Sequence, residues 1–178
     1  MRARCDTISL MDTDYRFLRN DDAPLLLDFM KKASSETDNL AFSLPDIEKL
    51  DAADERIFIT EVRKSPSIYA AAFSSGAIIG ICEIRVSRRL RTKHRGELAI
   101  AVLREYWGMG IGQHLFEFAE AEAKDRGVAS INLSVRNDNE RAIAFFKRNG
   151  FSDVGADPML MYIDGEYIDG ERFALKLQ

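Results

Sequence analysis

The order of elements along the chain predicts an α/β (α+β) domain built on a mixed sheet. Three observations carry this: a hairpin signal near residue 75, a strand running through a glycine-rich turn into an amphipathic helix near residue 110, and a further strand and helix ending at Gly150.

The 178 residues are 46% hydrophobic, enough to bury one core without disulfides or a structural metal. No repeat or linker marks a boundary, so one domain over residues 1–178 is expected, with 1–13 a loose leader. A short strand is expected at 15–18. Asp21-Asp22-Ala23-Pro24 then offers an acidic helix start with proline in the first turn, for a helix to about Lys32. A second helix is expected over 52–63, before Ser65-Pro66. Strands over 68–73 and 77–86 flank Ser74-Ser75-Gly76, a run of turn formers, and 97–102 is the next strand. From 110 to 126 Ile111, Leu115, Phe118 and Ala119 recur at helical spacing, and Gly127 stops the helix. Ile131, Leu133 and Val135 alternate with Ser130, Asn132 and Ser134 as a strand with one buried face. A helix over 139–149 ends at Gly150, with Phe151 positioned to pack back on Phe146. Two last strands are expected near 159–163 and 173–177.

Composition excludes several function classes. Cys5 and Cys82 provide neither a disulfide framework nor metal-ligand spacing, so no metal is expected and a reducing compartment fits. No stretch approaches the roughly 20 apolar residues that span a bilayer, and the first residues lead into no signal-peptide core, so a cytoplasmic protein with no membrane partner is expected. A net charge of -4 argues against nucleic acid as partner, and the basic run 85–95 reads as a solvated strand end and loop.

The turn Trp107-Gly108-Met109-Gly110-Ile111-Gly112-Gln113 is the segment richest in chemical information. Glycines let the backbone approach a ligand closely, and the free N–H groups and positive dipole end of a following helix stabilise a phosphate or pyrophosphate. Gln113 stands where a dinucleotide fingerprint would place its last glycine, and no Gly-Lys-Ser/Thr of a P-loop occurs, which weakens oxidoreductase and NTPase readings.

Together with Glu97-Leu98-Ala99-Ile100-Ala101-Val102 and the segment from Val135-Arg136-Asn137-Asp138-Asn139 through Ala142-Ile143-Ala144-Phe145-Phe146 to Gly150-Phe151, this turn resembles the GNAT superfamily of N-acetyltransferases. The motifs cover 97–155 closely and 1–60 only loosely. The resemblance implies a mostly antiparallel central sheet flanked by helices, acetyl-CoA as co-substrate and a small-molecule amine as acceptor, a polyamine, an amino acid or similar. It implies that the turn 107–113 wraps the CoA pyrophosphate, that the strand edge at Ala101, Val102 and Leu103 bonds the pantetheine, and that Asn139, Ala142, Phe145 and Phe146 border it. Two positions depart from the family. Trp107 stands where many members carry Gln or Arg, and Phe146 where many carry the Tyr that protonates the departing thiolate, so the acid is unassigned. Ser134 replaces the catalytic Glu of some protein N-terminal acetyltransferases, which lowers support for that subtype.

Acetyl transfer needs a neutral amine. At pH 7 a lysine-like amine of pKa near 10.4 costs about 4 to 5 kcal/mol to deprotonate, whereas an α-amine near 7.8 costs roughly 1. Glu97 is the first candidate base, since family members often use a Glu in this strand region. Glu83, inside an otherwise apolar strand, is the second. Each also has an ordinary alternative: Glu97 pairing with Arg95 or His94, Glu83 with Arg85. His114 belongs to the outer face of its helix beside Glu117, and Tyr106 and Tyr167 read as packing residues. A protein N-terminal or lysine acetyltransferase and a non-catalytic CoA-binding module stay as alternatives, and the choice between monomer and homodimer is open.

Overall fold

A computed structural model describes residues 13–177. Nearly all of the expected leader, and Cys5 with it, lies outside the described residues. The elements are β1 (Asp14–Phe17), α1 (Ala23–Glu36), α2 (Leu44–Ile47), α3 (Ala52–Arg63), β2 (Ile68–Ser74), β3 (Ala77–Val86), β4 (Arg95–Val102), α4 (Ile111–Asp125), β5 (Ser130–Arg136), α5 (Glu140–Arg148), β6 (Ser152–Ile163) and β7 (Glu166–Lys176). The strands form one sheet ordered β1-β2-β3-β4-β5-β7-β6, antiparallel at every junction except β4–β5. No helix among the described residues is long and apolar enough to cross a membrane.

Local chemistry explains the boundaries. The side chain of Asp22 accepts from Arg19 N at 2.7 Å and holds the Arg16 guanidinium through two bonds of 2.6 and 2.7 Å, fixing the start of α1. Asp51 caps α3 by accepting from Ala53 N and Asp54 N, while Asp54 answers to Asp51 N, a reciprocal capping box. At the β2–β3 tip Ser75 and Gly76 both have positive φ, 50° and 79°, as a two-residue hairpin turn matched to strand twist demands.

The two sheet faces carry separate cores. One packs Ile84, Leu98, Ile131 and Phe173 against Leu115 and Phe116 of α4 and Phe146 of α5. The other packs Tyr69, Ile81 and Leu103 against Leu26 and Phe29 of α1 and Ile59 of α3. Each fully buried Leu or Phe contributes about 1.5 to 3 kcal/mol, so α4 and α1 are held by burial more than by helix propensity. Gly96 lets these layers close: a Cβ there would lie 2.5 Å from Ile84 Cγ2. Cys82 is a buried free thiol whose pKa burial pushes up, consistent with a packing role.

Three features depart from the sequence expectation. α1 runs one turn beyond Lys32, to Glu36, and α2 was not expected at all. The last two strands are about twice the expected length, pairing from Ser152↔Ala174 to Ile163↔Glu166. Glycine, proline and two register shifts interrupt the alternation of β6, so its first half does not read as a strand.

Candidate functional site

β4 and β5 pair over only three positions, Arg95↔Ser130, Gly96↔Ile131 and Glu97↔Asn132. Beyond Glu97 the strands part, leaving a notch in the middle of the sheet. The register against β3 decides which backbone groups face it. Leu103 N donates to Ile79 O at 3.0 Å, which makes 79/103 and 81/101 the hydrogen-bonded pairs of that antiparallel ladder. The N–H and C=O groups of Leu98, Ile100 and Val102 therefore point the other way, into the notch. This corrects the expected strand contact: Val102 is on the open edge, whereas Ala101 bonds to β3, and Leu103 is 4% exposed with its C=O accepting from Tyr106 N. Strand alternation separates 98, 100 and 102 from 99, 101 and 103, but only the register against β3 tells which set faces the notch.

The turn closes the notch at the far end of β4. Gly108 and Gly110 take φ of 77° and 80°, conformations that cost any side-chain-bearing residue. The first helical bond of α4 runs from His114 N to Gly110 O, leaving the N–H groups of Ile111, Gly112 and Gln113 outside the helical ladder. These donors and the positive end of a 15-residue helix make an anion cradle. Side chains of the turn are otherwise engaged. Ile111 is in the core, and the Gln113 amide exchanges two bonds with the Asn149 amide, at 2.7 and 3.1 Å, tying α4 to α5. Gly112 is helical and a Cβ there would make only ordinary contacts, 3.7 Å from Val102 Cγ2 and 3.9 Å from Phe145 Cε2. Met109 is partly exposed. The Trp107 indole donates to Val102 O at 2.6 Å, and the Arg141 guanidinium stacks 3.7 Å from its ring centre, placing a cation at the mouth of the notch.

On α5, Asn139 is the helix cap: its Oδ1 accepts from Ala142 N at 3.2 Å. Phe146 is 6% exposed and packs edge-on to Phe145 and Phe151, at ring separations of 5.4 and 5.5 Å, so it offers the notch no polar group. Phe145 and Ala142 are half-buried against the same core.

The opposite face of the sheet carries the titratable groups. Gly96, Leu98 and Ile131 face the α4 core, so Glu97 and its register partner Asn132 face the other side, at the apex of the notch. Glu97 is exposed and forms no ion pair with Arg95 or His94 among the described residues; Arg85 of β3 stands directly opposite it. Glu83 is one strand further in, level with Tyr69 on one side and Ala99 on the other. Its carboxylate is 12% exposed and takes the Arg85 guanidinium at 3.0 Å, the ordinary alternative realised. His114 is half-exposed with Nδ1 3.7 Å from Glu117, and Tyr167 is exposed beside Tyr162. No cluster of three or more metal-ligating side chains occurs among the described residues.

A free strand edge leading to an uncapped glycine turn suits an elongated ligand with amides along its length and a pyrophosphate at one end. Comparison with known proteins agrees. The model of the Acetyltransferase (GNAT) family matches residues 32–151. N-alpha-acetyltransferase 30 of Schizosaccharomyces pombe is 36% identical over 93 residues, 51% of this chain and 61% of that protein, so the match spans less than two thirds of the relative's length. The crystal structure of a GNAT-family acetyltransferase from Streptococcus pneumoniae superposes with a TM-score of 0.87 at 29% identity, covering 92% of this chain and 99% of that one. A phosphinothricin acetyltransferase from Sinorhizobium meliloti, solved in complex with AcCoA, superposes with a TM-score of 0.80 at 17% identity over 93% of this chain and 89% of that one. With two thirds of its length matched by the family model, the chain belongs to the GNAT family of acetyltransferases.

Proposed function

We propose that this acetyltransferase moves the acetyl group of acetyl-CoA to the primary amine of a small molecule, with Glu97 as the base. The observation that carries the small acceptor is a strap over the acceptor face of the notch. Glu36 Oε2 accepts from Arg104 N at 2.7 Å and Glu36 O from the Arg104 guanidinium, just past the end of β4, and two residues later Asp38 O accepts from Arg136 Nη1 at 3.4 Å, at the end of β5. A segment bridging both lips of the notch favours an enclosed pocket over a groove for an extended peptide.

The donor is acetyl-CoA. Its pantetheine amides suit the free groups of Leu98 and Ile100 and the N–H of Val102, whose C=O is taken by the Trp107 indole, and its pyrophosphate suits the N–H groups at 111–113. Glu97, at the apex where the strands part, takes a proton from the acceptor ammonium, directly or through water. The neutral nitrogen then attacks the thioester carbonyl, the C–N bond forms as the C–S bond breaks, CoA leaves as a thiolate, and the proton that the nitrogen sheds in becoming an amide passes to that thiolate through water. A thiol pKa near 8.5 makes that leaving group tolerable without the hydroxyl that Phe146 lacks. Glu83, neutralised by Arg85, is the second candidate base.

The similarity to N-alpha-acetyltransferase 30 favours a second reading, a protein N-terminal amine as acceptor. One experiment separates the readings: mass-spectrometric detection of acetylation across spermidine, L-lysine and short peptides with free N-termini. Acetylated small amines support the proposal. Peptide acetylation alone replaces it with the second reading, and CoA affinity without turnover on any amine leaves a non-catalytic CoA-binding module.

A further inference from the structure

On β5 the side chains of Ile131, Leu133 and Val135 enter the α4 core, so Ser134 stands on the same face as Asn132 and Glu97. It is one pleat beyond the apex, on the lip opposite Ala99 of β4. Its Oγ contacts Asp157 Oδ2 at 2.6 Å, reaching across β7 to β6, and the same oxygen accepts from Arg172 Nε at 3.2 Å. The serine bond first, and Arg172 after it, hold the Asp157 carboxyl below its ordinary range. The carboxylate is thus ionised and the serine is the donor. A hydroxyl whose proton is committed in this way can only accept from anything else that reaches it.

The backbone of β6 makes this contact specific. After Asp157↔Gly170 the ladder resumes only at Met161↔Ile168, so three residues of β6 oppose one of β7. Inside this bulge Met159, a non-glycine residue, has φ 55°, and its N–H is held by Asp169 Oδ1 at 2.9 Å. Leu160 folds over Gly170, where a Cβ would lie 2.4 Å from Leu160 Cδ2. Bulges bend a strand and re-aim its side chains, and this one begins at the residue whose carboxylate crosses the neighbouring strand.

We propose that Ser134 is the acceptor-binding residue of the β5 lip and Asp157 its positioning residue. The acceptor nitrogen is held between Glu97 and Ser134 and donates an N–H to Ser134 Oγ, which Asp157, itself paired with Arg172, keeps turned as an acceptor. The proposal rests on the acetyl-transfer reading above and names how that site holds its amine. It also supplies a carboxylate near the position where Ser134 replaces the family's occasional Glu, from a residue 23 positions further along the chain.

The test is steady-state kinetics on wild type, Asp157→Asn, Ser134→Ala and Ser134→Thr between pH 6 and 9.5, with the best acceptor of the amine panel. The acceptor KM should rise about tenfold in Asp157→Asn and Ser134→Ala, with acetyl-CoA KM and thermal midpoint unchanged, and Ser134→Thr should recover to within about threefold of wild type. The ratio of Asp157→Asn to wild type should stay flat with pH, because the carboxylate is ionised throughout that range, whereas that of Glu97→Gln should not. An acceptor KM within twofold of wild type in both variants, an equal rise in acetyl-CoA KM, or a threonine variant no better than the alanine one overturns the proposal. Wild type without turnover on any amine defeats the underlying reading instead. Calorimetric titration of spermidine into wild type and Asp157→Asn then decides the inference, which equal affinities overturn and a tenfold weakening supports.

Discussion

The two lips of the notch present different chemistry. The β4 lip and its turn offer backbone groups: the edges of Leu98, Ile100 and Val102, then the N–H groups at 111–113, with most side chains of this stretch buried or bonded to one another. The β5 lip, paired to β7 on its other edge along its whole length, is distinguished by its side chains, Asn132 and the Ser134–Asp157 pair. Backbone groups recognise what every substrate molecule of the enzyme has in common, and side chains can be exchanged without disturbing the strand. The β4 lip should therefore be sensitive to changes of conformation, and the other face to changes of functional group.

The largest expected effect is on the functional-group side. Glu97→Gln keeps size and hydrogen bonding but removes basicity, and it should lower kcat about a hundredfold at pH 7. That loss should shrink as pH rises toward the amine pKa. A mutant-to-wild-type ratio that stays flat from pH 6 to 9.5 would reassign Glu97 to structure and pass the role to Glu83 or water. Next in size is the conformational side. Gly110→Asp forces a side chain into φ 80° and sets a negative charge at the start of α4, for about 1 to 2 kcal/mol of strain together with anion repulsion. We expect acetyl-CoA affinity to fall about thirtyfold with acceptor binding little changed. Trp107, the only tryptophan, has its indole on the Val102 carbonyl, so its emission can follow the titration. Unaltered affinity in a folded variant would remove the turn from the donor site.

This division also governs what the sequence could reveal. The turn at the end of the β4 lip was legible because its determinants are local, glycines at 108 and 110 and then helical spacing from Ile111, whereas the set of β4 groups on the open edge was not. The α4 and α5 stops at Gly127 and Gly150 were legible for the same reason, both having positive φ. The point where β4 and β5 part was not, because it depends on where a parallel ladder between distant segments ends. Nor was the Asp157 contact, which needs the β6 bulge and the intervening β7 to bring it to Ser134. Asn139, which the resemblance implies as a pantetheine contact, also forms the cap of α5, a role that its position just before Glu140 already signalled.

A smaller effect should come from the anchor of the acceptor side. Asp22 is 6% exposed, and its bond to Arg16 holds its pKa below the ordinary carboxylate range. A depressed folded pKa stabilises the protein above the unfolded value of about 3.9, and that contribution is lost as pH falls below it. Asp22→Asn should cost about 2 kcal/mol at pH 7 and progressively less on acidification, measured as the difference in unfolding free energy. Because α1 ends at the Glu36 that contacts Arg104, the same variant should raise acceptor KM more than acetyl-CoA KM. An equal rise in both would break the proposed independence of the two lips.

The smallest effect is expected where the two sides meet. Phe146 packs edge-on to Phe145 and Phe151, and the family's tyrosine at this position differs from it by one hydroxyl. A hydroxyl directed into the aromatic cluster would be a buried polar group without a partner, costing about 1 to 3 kcal/mol. One directed along the ring edge toward the notch would stay hydrated and could donate to the departing thiolate. We expect the second outcome for Phe146→Tyr: turnover within tenfold of wild type, and a thermal midpoint lowered by less than about 4 °C, the shift that 1 kcal/mol produces in a domain of this size. A larger drop in midpoint, or turnover falling more than tenfold, would place the ring edge inside the core and confine both lips to chemistry without a protein acid at this position.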